Sequence, residues 1–346
     1  MKASTRGFTV IELCMALVSM AVLIMVASQI LLSGLRDFYF YENQMNLSDR
    51  IILVSRLIEN EFTMSGGNFL PPWLSMQVEN NCTTRIGLPD CAGSDRLSIA
   101  TSLYDPISFA FFPTLSVNTF DTVNKKISIS FSPPALPCPI VATQQNQHVL
   151  MTNATTTEVY SLWTTNVDLV NCTFTVESDV QGNILNSANF ATTNYALGAL
   201  SFVRIRSYYL DTIAHQLKYL EKTTNSATLD PADIHNLIYN VYDFQLALGY
   251  DTAPQDGQVD DSGTNIDEVL YNAPGDSIAT LGGVGAGPSD LRQLFVAFVL
   301  GEPVKGNTAF VPKTFKNFDG PVVQAPHVNL QGLERKVFFR NSMTYM

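Results

Sequence analysis

Glu12 is the residue whose chemistry most needs a partner. It lies in the stretch Arg6-Gly7-Phe8-Thr9-Val10-Ile11-Glu12, directly before residues 13–32, which contain neither a charge nor a proline. A carboxylate at bilayer depth costs about 2.5–3.5 kcal/mol on insertion scales, so it either pairs with a cation or reaches back to water. A second acidic group, DTAPQDGQVDDSGTNIDE at 251–268, carries Asp251, Asp256, Asp260, Asp261, Asp267 and Glu268 and no Lys or Arg. Calcium recruits closely spaced carboxylates around a glycine turn, which makes Asp251, Asp256 and Asp260 its candidate ligands. The spacing of an EF-hand loop is not met, and a solvated acidic loop is the competing reading.

Thiol chemistry is the third possibility. Cys14 sits inside the apolar run, while Cys82, Cys91, Cys138 and Cys172 lie beyond it. An even set of cysteines in an exported segment suits disulfides, with three possible connectivities for four cysteines. Nearest-neighbour pairing, Cys82–Cys91 and Cys138–Cys172, closes the small loops and leaves Cys14 free. A zinc site is disfavoured, since there are four scattered histidines and no paired C-x-x-C spacing. No G-x-S-x-G, H-E-x-x-H, S-x-x-K or Walker A pattern is found, so the chain reads as non-enzymatic. The glycines at 282–287 lack the G-x-G-x-x-G order and read as a loop.

Composition narrows the class further. The 346 residues are 46% hydrophobic, enough for one large domain or two small ones. Twenty Lys and Arg stand against 31 Asp and Glu, and the largest cationic grouping is Glu334-Arg335-Lys336. A nucleic-acid surface needs clustered cations, so that class is excluded.

The elements that must position these residues follow from periodicity. Twenty apolar residues in a helix span about 30 Å, the thickness of a bilayer core. Lys2 and Arg6 precede the run, which places the N-terminus in the cytoplasm and the rest outside. Phe38-Tyr39-Phe40-Tyr41 follows as an interfacial aromatic belt would. A cleaved secretory signal has a shorter apolar region and small residues after it, and neither is found. Between Phe8 and Ser65 there is no proline and one glycine, Gly34, while Leu47, Ile51, Val54, Ile58 and Phe62 recur on one helical face. Gly66-Gly67 and Pro71-Pro72 supply the stop. The expected helix runs from 8 to 65, about 87 Å long.

Beyond it the pattern is mostly β. Strands are expected at 96–101, 107–112, 126–131, 158–163, 169–176, 200–209, 216–221, 243–250, 291–300 and 335–339, several alternating apolar with polar. Asp230-Pro231 reads as the start of a short helix reaching about Asn240. The fold class is α+β, a long N-terminal helix packed on a large antiparallel β ectodomain. The expected organisation is a leader at 1–7, a membrane-spanning helix at 8–35, its amphipathic continuation at 36–66, and an ectodomain at 67–346.

Gly7-Phe8-Thr9-Val10-Ile11-Glu12-Leu13 followed by the apolar helix resembles the class III signal of type IV pilins and type II secretion pseudopilins. The stretches VYDFQLALGYDT at 241–252, DLRQLFVAFVLG at 290–301 and RKVFFRNSM at 335–343 resemble, more softly, the minor pilins of the PilW type. The resemblance implies cleavage between Gly7 and Phe8 by a prepilin peptidase, N-methylation of Phe8, and a role for Glu12 in assembly. It implies a structural subunit of the inner membrane that primes or tips a pilus, with its C-terminus in the periplasm. Its implied partners are other minor pilins, the major pilin and the inner-membrane assembly platform. A type II secretion pseudopilin and a pilus-tip adhesin are the alternatives.

Overall fold

The computed structural model describes residues 9–63, 76–79, 93–102, 107–108, 115–121, 126–131, 146–153, 159–178, 197–225, 230–251, 259, 268–270, 291–304, 313–318 and 321–338. Thr9 is extended and caps helix α1, Val10–Leu57, whose 48 residues extend about 72 Å. Two serines in its apolar half return their hydroxyls to the helix itself. Ser19 Oγ donates to the Met15 carbonyl at 2.8 Å, and Ser28 Oγ donates to those of Ile24 and Met25. Each hydroxyl is thereby satisfied without water, the condition for a polar group in lipid.

The helix changes character at residue 43. Side chains through Tyr41 are exposed, from Val10 at 77% to Tyr41 at 70%. From there Asn43, Leu47, Val54, Ile58 and Phe62 are buried, one stripe of the cylinder, with Ile51 packed beside it. The expected docking face is therefore the observed one. Its last turn, Ile58–Phe62, is a π-helical turn closed by the Thr63 amide donating to the Ile58 carbonyl at 3.3 Å.

The strands in chain order are β1 (Met76–Glu79), β2 (Arg96–Ser102), β3 (Ile107–Ser108), β4 (Leu115–Asp121), β5 (Lys126–Phe131), β6 (His148–Asn153), β7 (Val159–Asp168), β8 (Thr173–Ser178) and β9 (Leu197–Asp211). After them come β10 (Gln216–Leu220), β11 (Ile234–Tyr239), β12 (Val241–Tyr250), β13 (Glu268–Leu270), β14 (Leu291–Pro303), β15 (Thr314–Phe315), β16 (Val323–Gln324) and β17 (Val328–Phe338). Among the described residues β1 to β11 form one antiparallel sheet, and β13-β12-β14-β17 form a second. Strand β9 is the hub of the first. Its early residues pair with β3 and β6, and its later ones with β2 and β10.

One apolar core joins the helix to both sheets. Leu47, Val54, Ile58 and Phe62 meet Leu97, Ile99, Tyr208 and Leu217 of the first sheet and Phe244, Leu246, Val296 and Phe298 of the second. Burying each such side chain contributes about 1.5–3 kcal/mol. The α+β architecture is as expected, with the strands divided between two large sheets and, among the described residues, a separate β15–β16 pair.

Two local expectations are corrected. Asp230-Pro231 does start a helical turn, and Asp230 Oδ1 accepts from the Ala232 amide at 2.9 Å, but it is a 3-10 turn ending at Asp233. Residues 234–239 continue as β11, an antiparallel partner of β10. IHNLIY is rich in β-branched and aromatic residues, and pairing with β10 overrides the capping signature. The strand expected at 169–176 begins only at Thr173. Asp168 Oδ1 accepts from the amides of Val170 at 2.9 Å and Asn171 at 3.1 Å, diverting them from a ladder into a turn.

Candidate functional site

The head of the helix is held by a capping box. Thr9 Oγ1 accepts from the Glu12 amide at 3.3 Å, while Glu12 Oε2 accepts from the Thr9 amide at 2.9 Å and from Thr9 Oγ1 at 3.1 Å. Orphan donors of the first turn are thus satisfied reciprocally. The T-x-x-E spacing was legible in the sequence and gives Glu12 a second task beside any charge pairing. Gly7 and Phe8 lie outside the described residues. Downstream of the box the side chains are apolar on every side of α1 and exposed through Leu35. Among the described residues this is one helix long and apolar enough to cross a membrane.

Two ion clusters fix the other half of α1 to the sheets. On the docking face, Arg50 Nη1 donates to the Gly301 carbonyl at 2.7 Å and lies 2.6 Å from Glu302 Oε2 at the end of β14. The Asn240 amide oxygen, turned inward as its neighbours require, accepts from Arg50 Nη1 at 2.9 Å. Gly301 also lets Tyr242 and Val328 pack directly on this stretch of β14. A Cβ there would fall 2.4 Å from the Tyr242 ring and 2.6 Å from Val328.

The second cluster surrounds the π-helical turn. Arg206 on β9 donates from Nη1 to both oxygens of Glu61 at 2.9 Å, and from Nε to Glu221 Oε2 at 2.7 Å. Its guanidinium lies 4.8 Å from the centre of the Tyr219 ring. Tyr208 Oη also donates to Glu61, at 3.1 Å. Burial pushes the Tyr208 phenol up, and the Glu61 charge adds to that, so it remains a donor. Burial works against the Arg206 charge, but the Glu221 and Glu61 carboxylates more than offset it.

The sequence reading did not find these clusters. Their partners are distant in the chain, so no local spacing announces them; the one hint is a charge inside an apolar-periodic face, as at Arg50 between Leu47 and Val54.

The acidic stretch and the cysteines are only partly placed. Asp251 is buried, and its Oδ2 lies 3.4 Å from Arg292 Nε, the second residue of β14. A counter-charge to this carboxylate therefore comes from the neighbouring strand. Asp256, Asp260 and residues 282–287 lie outside the described residues. Among the described residues no group of three or more His, Cys, Asp or Glu is arranged to hold a metal. Cys14 is a free, exposed thiol on α1. Cys172 is buried and disulfide-bonded, in the left-handed conformation (φ 50°) at the β7–β8 turn. Cys82, Cys91 and Cys138 lie outside the described residues.

No protein-family model matches the chain, and no curated protein matches it. Among solved structures, a type IV-like pilin from Thermus thermophilus is similar over 57% of this chain and 87% of its own, at 11% identity and a TM-score of 0.23.

Proposed function

We propose that the chain is a type IV pilin-like structural subunit rather than an enzyme, a minor pilin of the PilW type that primes or tips a filament. The observation that carries this reading is the division of α1. A helix apolar on every side and exposed through Leu35 becomes, from Asn43 onward, a one-sided element docked on an ectodomain. The first half suits a bilayer before assembly and a bundle of like helices after it; the second half holds the ectodomain to it. In this account a peptidase cuts between Gly7 and Phe8, Phe8 is methylated, and the ectodomain faces the periplasm. Other minor pilins, the major pilin and the assembly platform are its partners.

Glu12 has a defined part in this account. Cleavage creates a cationic amine on Phe8, four residues before the carboxylate in the chain. In a bundle, Glu12 neutralises that amine or a neighbour's, and a buried pair of this kind fixes register. Glu12→Ala should leave membrane insertion intact, since insertion gains from loss of a charge. It should remove co-purification with other pilins. Thr9→Ala separates the two tasks, because it breaks the capping box and keeps the carboxylate. The proposal expects Thr9→Ala to retain the partners. Equal loss in both variants would reduce Glu12 to a helix cap. Recovery with type II secretion components instead of pilus components would select the pseudopilin alternative.

The ectodomain's exposure outside the cytoplasm also bears on its thiols. We propose the nearest-neighbour disulfides, Cys82–Cys91 and Cys138–Cys172. Non-reducing peptide mapping should return both, and Cys82 joined to Cys138 or Cys172 would refute the pairing.

A further inference from the structure

We infer that the last turn of α1 is a releasable element, held by an arginine that keeps a counter-charge whether or not the turn is docked. The inference stands apart from the function proposed above. Arg206 belongs to the sheet, and so does Glu221, its partner at 2.7 Å. The Tyr219 ring beneath the guanidinium is also part of that sheet. Glu61 alone comes from the helix, at 2.9 Å. When Glu61 departs, Arg206 retains Glu221 and the ring, so no cation is stranded in a partly buried site. Stranding a buried charge is the chief cost of breaking such a pair.

The Arg50 cluster is built the other way round. Here the cation rides on the helix, and the carboxylate left behind is Glu302, whose side chain is 8% exposed. Lifting Arg50 removes the charge that lies closest to it. The two clusters therefore resist undocking unequally, and the weaker one sits at the π-helical turn Ile58–Phe62. That turn is closed by the 3.3 Å bond from the Thr63 amide, and π turns concentrate where helices do functional work. Ile58 and Phe62 oppose release by their burial, but they do so equally in every variant compared below.

The arrangement lets the turn at 58–63 come away while Arg50 keeps the preceding turns in place. Amide hydrogen exchange on the full chain in detergent micelles tests this. Glu61→Gln should accelerate exchange at 58–63 about tenfold, the low end for loss of a charge-assisted hydrogen bond. It should leave 47–54 at the wild-type rate. Glu302→Gln should accelerate both segments. Glu221→Gln leaves Glu61 as the one carboxylate of the cluster that pairs with Arg206, and should slow exchange at 58–63. A Glu61→Gln chain in which both segments accelerate together would show a single cooperative docking unit and overturn the inference. So would unchanged exchange at 58–63, or acceleration there by Glu221→Gln.

Discussion

Phe62→Ala is expected to destabilise the ectodomain by about 3–5 kcal/mol, the range for truncating a buried phenylalanine. Phe62 is fully buried, and its ring meets Tyr208 edge-to-face with centroids 5.1 Å apart. The substitution removes the apolar transfer energy and leaves a cavity between the π-helical turn and β9. The neighbouring Arg206 and Tyr208 hold Glu61 in place, so collapse of the backbone into that cavity is restrained. In denaturant the midpoint should fall with an unchanged slope, since the surface exposed on unfolding is nearly the same. Ile52→Ala is the matched control. Ile52 lies on the opposite face of the same helix, 48% exposed, and should change stability by no more than about 0.5 kcal/mol. Similar losses in both variants would mean that the helix is not docked by the stripe described.

The second large effect is on processing and is all-or-none. Gly7→Leu should leave uncut precursor in the membrane fraction and none of the chain in sheared filaments. Glycine lacks a Cβ, so a peptidase can approach the backbone closely at the cut site, and a leucine blocks that approach. The variant keeps the apolar run and both leader cations, so insertion is expected to proceed normally. Uncut protein would carry no amine beside Glu12, and the pairing that sets register would be missing. Mature-size protein from the Gly7→Leu gene would remove the ground for this chain of steps.

Much of the scaffold was legible because its periodicities are local. The spacing Leu47, Ile51, Val54, Ile58, Phe62 identified the docking face of α1, and KISISF at 126–131 identified β5 by alternation alone. The capping box at Thr9 and Glu12 was equally local. Its T-x-x-E spacing is masked by the apolar setting, in which the glutamate stands out first as a charge. Residues 234–239 depart from the helical expectation for a different reason. Asp230-Pro231 is a sound helix start, and pairing with β10 outweighs it after one 3-10 turn. Nothing local points to the partners Arg50–Glu302, Glu61–Arg206 or Asp251–Arg292, because docking of the helix on the sheets brings the first two pairs together and strand register brings the third. The acidic stretch shows the consequence. It contains no cation of its own, yet the bulge that sets Tyr250 opposite Leu291 brings Arg292 to Asp251.

The N-terminus of the native protein, purified from its own membranes or filaments, tests the central claim most directly. Mass spectrometry of the first tryptic peptide should find a chain that begins at Phe8, with a methyl group on its α-amine and Glu12 as the fifth residue. A native chain that begins at Met1, or at a site beyond the apolar helix, would contradict the reading of this protein as a pilin-like subunit.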